Sequence, residues 1–107
     1  MASHVIAVGM KRNKDNKLPE VEETEATACA VQNMFLTVTA YELGSYWSTA
    51  EITYFEEAKS HFGLGTNDKL LGFFYIGYFA KPLLSPSKRG AIQDKVKWID
   101  ADLFAST

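Results

Sequence analysis

The stretch Gln32-Asn33-Met34-Phe35-Leu36-Thr37-Val38-Thr39-Ala40-Tyr41-Glu42-Leu43-Gly44-Ser45-Tyr46-Trp47-Ser48-Thr49 constrains this chain most. It reads as an almost wholly apolar helix that stops at a glycine and opens into a compact polar-aromatic loop. A helix wet on one side carries a polar face. This one carries almost none, which predicts burial nearly all round. A helix buried that deeply needs more protein around it than 107 residues supply. The loop at its end offers backbone N–H groups, two hydroxyls and an indole to a flat ligand.

The chain is one domain or less. A net charge of -2 gives no reason to expect nucleic acid or an anionic membrane as partner. The lone Cys29 cannot form an internal disulfide, and its neighbours Ala28, Ala30 and Val31 predict a buried structural thiol over a nucleophile. That fits a reducing cytoplasm. No secretory signal pattern opens the chain. Glu42, Gly44 and Ser45 interrupt the longest apolar run before it reaches membrane-span length.

Val5-Ile6-Ala7-Val8, ending at Gly9, predicts a short buried strand. Lys11 to Lys17 predicts a solvated loop tip, with an anion site as the sharper and less supported alternative. Glu20, Glu22, Glu23 and Glu25 then cluster where a helix begins. Carboxylates there favour the positive end of the helix dipole, and without a histidine they make a poor metal cluster. The helix runs from about Glu22 to Glu42, and Gly44 is the residue expected to take a positive φ at its end. Thr53-Tyr54-Phe55-Glu56 has capping-box spacing, followed by a short amphipathic helix to Phe62 and Gly63. Thr66-Asn67-Asp68 reads as a turn. Leu70-Leu71-Gly72-Phe73-Phe74-Tyr75-Ile76-Gly77-Tyr78 is apolar on both faces, which predicts a central strand covered on both sides. Its glycines predict close approach by another backbone or a ligand.

From Lys81 on, Pro82, Pro86 and Gly90 prevent regular structure, and Val96-Lys97-Trp98-Ile99 reads as an added edge strand. With Leu83, Leu84 and Ile92, this tail is too apolar to stand free and is expected to pack on something, such as a second subunit. Gly63-Leu64-Gly65 is rejected as a dinucleotide loop, because it follows a helix and lacks the third glycine. His4 and His61 have no partner at ligand spacing, so no metal site is expected, and no nucleophile elbow is present. Two places remain. Gly44–Thr49 reads either as a donor-rich loop for a planar ring walled by Trp47 or as core aromatics at a helix corner. Lys88 and Arg89 read either as a phosphate-binding pair or as ordinary exposed cations.

Taken in order, Glu25-Ala26-Thr27-Ala28-Cys29-Ala30-Val31-Gln32-Asn33-Met34, Leu43-Gly44-Ser45-Tyr46-Trp47-Ser48-Thr49, Phe62-Gly63-Leu64 and Lys69-Leu70-Leu71-Gly72-Phe73-Phe74-Tyr75-Ile76-Gly77 resemble the C-terminal half of the FMN-dependent nitroreductase family. The nearest likeness is to its small, single-domain bacterial branch. The ordered set matches across roughly residues 4 to 99. The resemblance implies an α+β fold, a nitroreductase-like mixed sheet flanked by helices, with residues 1–107 as a single partial domain and 81–107 as an extended tail on a partner subunit. It implies a homodimer with FMN at the interface, and NAD(P)H as reductant. It also implies ping-pong electron transfer through flavin to a small-molecule acceptor, a nitro compound or quinone. No catalytic side chain is named, because the flavin carries the chemistry. The implied cofactor-binding residues are Trp47, Ser48 and Thr49 against the ring and Lys88 and Arg89 at the phosphate.

Two departures stand beside the match. The family's Arg-Ser-x-Arg-like and Pro-Ser-x-x-Asn-x-Gln-Pro-Trp-like segments, from its N-terminal half, are not found in this sequence, and Glu42 stands where members usually have glycine before the Leu-Gly turn. The readings left open are a fragment, a site completed by a separate chain, and a non-enzymatic dimerising α+β module that no longer binds flavin.

Overall fold

The computed structural model describes residues 2–79 and 87–100. Its core is a three-stranded antiparallel sheet in the order β1-β3-β2, built from β1 (Ala2–Met10), β2 (Gly44–Ser48) and β3 (Lys69–Gly77). The long helix α1 (Glu20–Ala40) lies against it, and a 3₁₀ turn (Glu51–Tyr54) with the short helix α2 (Glu56–His61) joins β2 to β3. The fold is α+β. All strand pairing among the described residues is antiparallel, where the expectation was a mixed sheet.

The expected central strand is in place, with β3 hydrogen-bonded on both sides. Leu70, Gly72 and Phe74 are buried and alternate with half-buried Leu71, Phe73 and Tyr75. Among the described residues, one face is therefore more fully covered than the other. On the other, Phe62 meets Phe73 edge-on at 5.7 Å between ring centroids. β1 departs from the expected buried strand. As an outer strand it buries only Val8 and Met10, while Val5 and Ile6 are exposed.

α1 starts at Pro19 with Glu20, Glu22 and Glu23 in its first turn, matching the dipole argument. It is not buried all round within this chain. Val31 and Val38, with Met34 and Phe35 between them, form one stripe at helical spacing against Val8 and Phe74. Phe35 meets Phe74 edge-to-face at 4.8 Å. Away from the stripe, Val21 and Leu36 are each 60% exposed, and Cys29 is exposed as well. The expected buried thiol is thus corrected: a lone helix on a three-stranded sheet can bury one stripe, and Cys29 lies off it.

The helix ends with Leu43 N–H donating to the Val38 carbonyl and Glu42 N–H to that of Thr39. These are the two bonds of a Schellman ending. The left-handed residue this ending needs is Glu42, at φ 60°, and not Gly44. Gly44 lies in β2, where a Cβ would sit 2.6 Å from the Phe79 ring. α2 closes in the same way with the expected glycine, Gly63 at φ 74°. The expected capping box does not form. Thr53 is buried, and its hydroxyl donates to the Ala50 carbonyl at 2.9 Å.

The 11–17 loop is exposed, as expected, except at Arg12, which is half-buried. The Arg12 guanidinium reaches the Glu23 carboxylate at 2.6 Å and also donates to the Leu18 carbonyl and the Asn16 side chain. Asp68 ties the same loop to the turn before β3, accepting from Arg12 N–H at 2.8 Å and Gly65 N–H at 2.7 Å. At the other end, residues 96–100 form no strand, correcting the expected edge strand. Residues 87–100 are exposed throughout, including the 3₁₀ turn at Ile92–Asp94, and Trp98 is 87% exposed. Pro82, Leu83, Leu84 and Pro86 lie outside the described residues.

Candidate functional site

Gly44–Ser48 is a strand, so the expected tight loop is corrected. Each of its residues pairs with β3, with Trp47 opposite Phe74 and Ser48 opposite Phe73. Pairing absorbs some of the N–H groups a loop would have offered. An edge strand still leaves alternate backbone groups unpaired, and β2 is an edge strand among the described residues. Thr49, the first residue beyond the ladder, is exposed, and Ser48 is half-buried.

Trp47 fits the reading as a core aromatic. It packs against the core of Val8, Val31, Val38 and Phe74. Its indole N–H donates to the Leu71 carbonyl at 3.0 Å. That donor is spent inside the protein, so the indole can offer a planar ligand only its ring surface. The close approach foreseen at the glycines of β3 occurs at Gly72. A Cβ there would stand 2.5 Å from the Ser48 carbonyl and 2.6 Å from the Trp47 indole nitrogen.

Lys88 and Arg89 are both exposed. Among the described residues no hydrogen bond or ion pair joins either of them to Trp47, Ser48 or Thr49. Trp47, Ser48 and Thr49 are neighbours in sequence, and the two cations lie within the exposed segment 87–100. No group of His, Cys, Asp and Glu able to hold a metal ion occurs among the described residues.

One feature had no sequence signal. A cleft of about 500 Å³, ample for a drug-sized ligand, opens between the start of α1, the 3₁₀ turn, α2 and β3. Its walls include Val21, Thr53, Tyr54 and Leu71, together with the residues of two ion pairs. Glu20 meets Lys69 at 2.8 Å and Glu56 meets Lys59 at 3.0 Å. The hydrogen bond from Lys69 holds the Glu20 carboxyl below the usual carboxylate range and raises the Lys69 ammonium in return. Lys59 also donates to the Thr66 carbonyl at 3.1 Å. Glu20 and Lys69 lie far apart in sequence, so only the fold reveals the pair. Leu71 links this cleft to Trp47, because it lines the one and its carbonyl holds the other.

No protein-family model matches the chain. Over 73 residues it is 30% identical to YdjA of Escherichia coli (strain K12), a protein named for an NAD(P)H nitroreductase activity. The YdjA of Escherichia coli O157:H7 matches equally. That alignment covers 68% of this chain and 40% of the relative, so the chain spans less than half the length of the curated relatives it matches. Among solved structures, a nitroreductase-like family protein from Bacillus cereus superposes with a TM-score of 0.69 at 25% identity, covering 90% of this chain and 50% of that one. No described helix is long and apolar enough to cross a membrane.

Proposed function

Because this chain is related to the nitroreductase family, we propose that it carries part of the flavin site of an FMN-dependent NAD(P)H oxidoreductase that reduces nitro compounds or quinones. The observation that carries the reading is the placement of Ser48 and Thr49. Ser48 ends an edge strand and Thr49 follows it, next to Trp47 on the core, in a fold that superposes on a nitroreductase-like protein.

The chain's own donors fit the group in kind. The unpaired edge of β2 offers main-chain groups to a ring, and Lys88 and Arg89 offer two cations to a phosphate. In this reading Ser48 and Thr49 orient the ring and the Trp47 ring surface shields it from water. Lys88 and Arg89 hold the phosphate. FMN, when bound, supplies two-electron redox chemistry, accepting hydride equivalents from NAD(P)H and passing them to the acceptor. The arginine-rich phosphate grip that the resemblance implies is not among these 107 residues, so in this reading other protein completes the site.

The exposed apolar surface supports a homodimer as the means. Leu36 on α1 and Ile92, Trp98 and Ile99 in the tail together leave large hydrophobic side chains in water. The single exposed thiol of Cys29 suits a reducing cytoplasm. FMN titration of the purified chain tests the proposal, followed by Lys88→Ala with Arg89→Ala. Saturable binding that these two substitutions weaken supports it. A stable, colourless dimer that takes up no FMN would instead favour the non-enzymatic module.

A further inference from the structure

The register between β1 and β3 slips twice, between Ala2 and His4 where β1 begins and between Val8 and Gly9 inside the sheet, and the second slip is the one that matters here. Val8 faces Gly72, but Gly9 faces Leu70, leaving Leu71 without a partner on β1. On the other side the ladder with β2 has already stopped, its last pair being Ser48 with Phe73. Leu71 is therefore the extra residue of a β-bulge, and neither neighbouring strand pairs with it. Its carbonyl accepts from the Trp47 indole at 3.0 Å instead. The next residue, Gly72, has φ 128°, a left-handed value that side-chain-bearing residues rarely adopt. Its missing Cβ leaves room for the Ser48 carbonyl and the Trp47 nitrogen.

Bulges end strand pairing and redirect the neighbouring chain. We propose that the Leu71–Gly72 bulge is the positioning device of the flavin-facing segment: it ends the β2 ladder at Ser48, anchors Trp47 through the Leu71 carbonyl, and so aims the Ser48–Thr49 main chain away from the sheet. Gly72 and Leu71 are positioning residues and touch no ligand. The inference rests on the function proposed above for what that segment faces. What the bulge does to Trp47 stands independently of that function.

The sequence holds two tryptophans, and Trp98 is exposed, so Trp98→Phe leaves Trp47 as the single emitter. In that background Gly72→Ala is expected to shift Trp47 emission to the red, as the indole is pushed off the core. FMN affinity per folded molecule is expected to fall by about tenfold or more, the equivalent of about 1.4 kcal/mol. Should Gly72→Ala fail to fold, a second variant decides. Replacing Trp47 with its sulfur isostere benzothienylalanine keeps the shape and removes only the N–H. It is expected to weaken FMN binding about threefold to tenfold, the effect of one hydrogen bond. A merely structural role would lower stability and leave both the emission of the folded state and the per-molecule affinity unmoved, and that result overturns the inference. If the parent chain binds no FMN, the functional reading fails. The bulge is then judged on Trp47 emission and on exchange protection of its indole N–H, and an unshifted Gly72→Ala spectrum or an unprotected indole overturns it.

Discussion

Removing the Trp47 ring is expected to cost both stability and flavin binding, and the structure separates the two costs. Full truncation of a buried aromatic costs about 3–5 kcal/mol. Trp47 is half-buried, so about 2 kcal/mol is expected for the ring on that scale. The Leu71 carbonyl it satisfies would be left unpaired, at about 1 kcal/mol more. Trp47→Ala should therefore cost about 3 kcal/mol, a large share of the roughly 5–15 kcal/mol a domain of this size holds. Trp47→Phe keeps most of the ring contact and should cost about 1 kcal/mol, chiefly the hydrogen bond. Urea unfolding read by far-UV circular dichroism measures both without relying on the lost fluorophore. Equal stability of the two variants would refute this reasoning, as would a cost below about 1 kcal/mol for Trp47→Ala, since either result would take the indole out of the core.

Three further outcomes are expected. Glu42 holds the left-handed position of the α1 ending, so Glu42→Gly should raise stability by about 1 kcal/mol, seen as a higher urea midpoint. Asp68 is held below the usual carboxylate range by the N–H groups of Gly65 and Arg12. Its contribution is present above the ordinary Asp pKa and is lost as pH falls through the depressed folded value. Asp68→Asn should lower Tm at neutral pH and flatten the loss of Tm on acidification, and an unchanged acid limb would show that the carboxylate is not what ties the loop. Cys29 should react promptly with a thiol reagent in the free chain, and its protection at high protein concentration would show that a second copy covers α1.

Much of the fold was legible because it rests on local rules. The apolar run of β3, the acidic first turn of α1 and Gly63 at the end of α2 all stand where those rules place them. Failures came where tertiary pairing overrode local pattern. Gly44–Ser48 carries a glycine and serines that suit a loop, yet β3 draws it into the sheet. Gly44 looked like the helix terminator, but the chain turns two residues earlier at Glu42, the position where the resemblance expects the glycine that this left-handed conformation favours. Thr53 has capping-box spacing, but burial takes its hydroxyl elsewhere. The apolar pattern of α1 gave length but not which stripe is covered, because coverage depends on what lies against it. In the candidate site, Trp47, Ser48 and Thr49 come from the family resemblance. The Leu71 carbonyl that fixes Trp47 and the Glu20–Lys69 cleft depend on contacts between distant segments, and no spacing rule reveals them.

The most direct measurement of the proposed flavin site is the visible absorption of the purified chain titrated with FMN, read together with quenching of Trp47 emission in the Trp98→Phe background. Saturable flavin binding that co-elutes with protein and quenches Trp47 is the predicted result. Flavin that stays free at every concentration, with Trp47 emission unchanged in a folded chain, would contradict it.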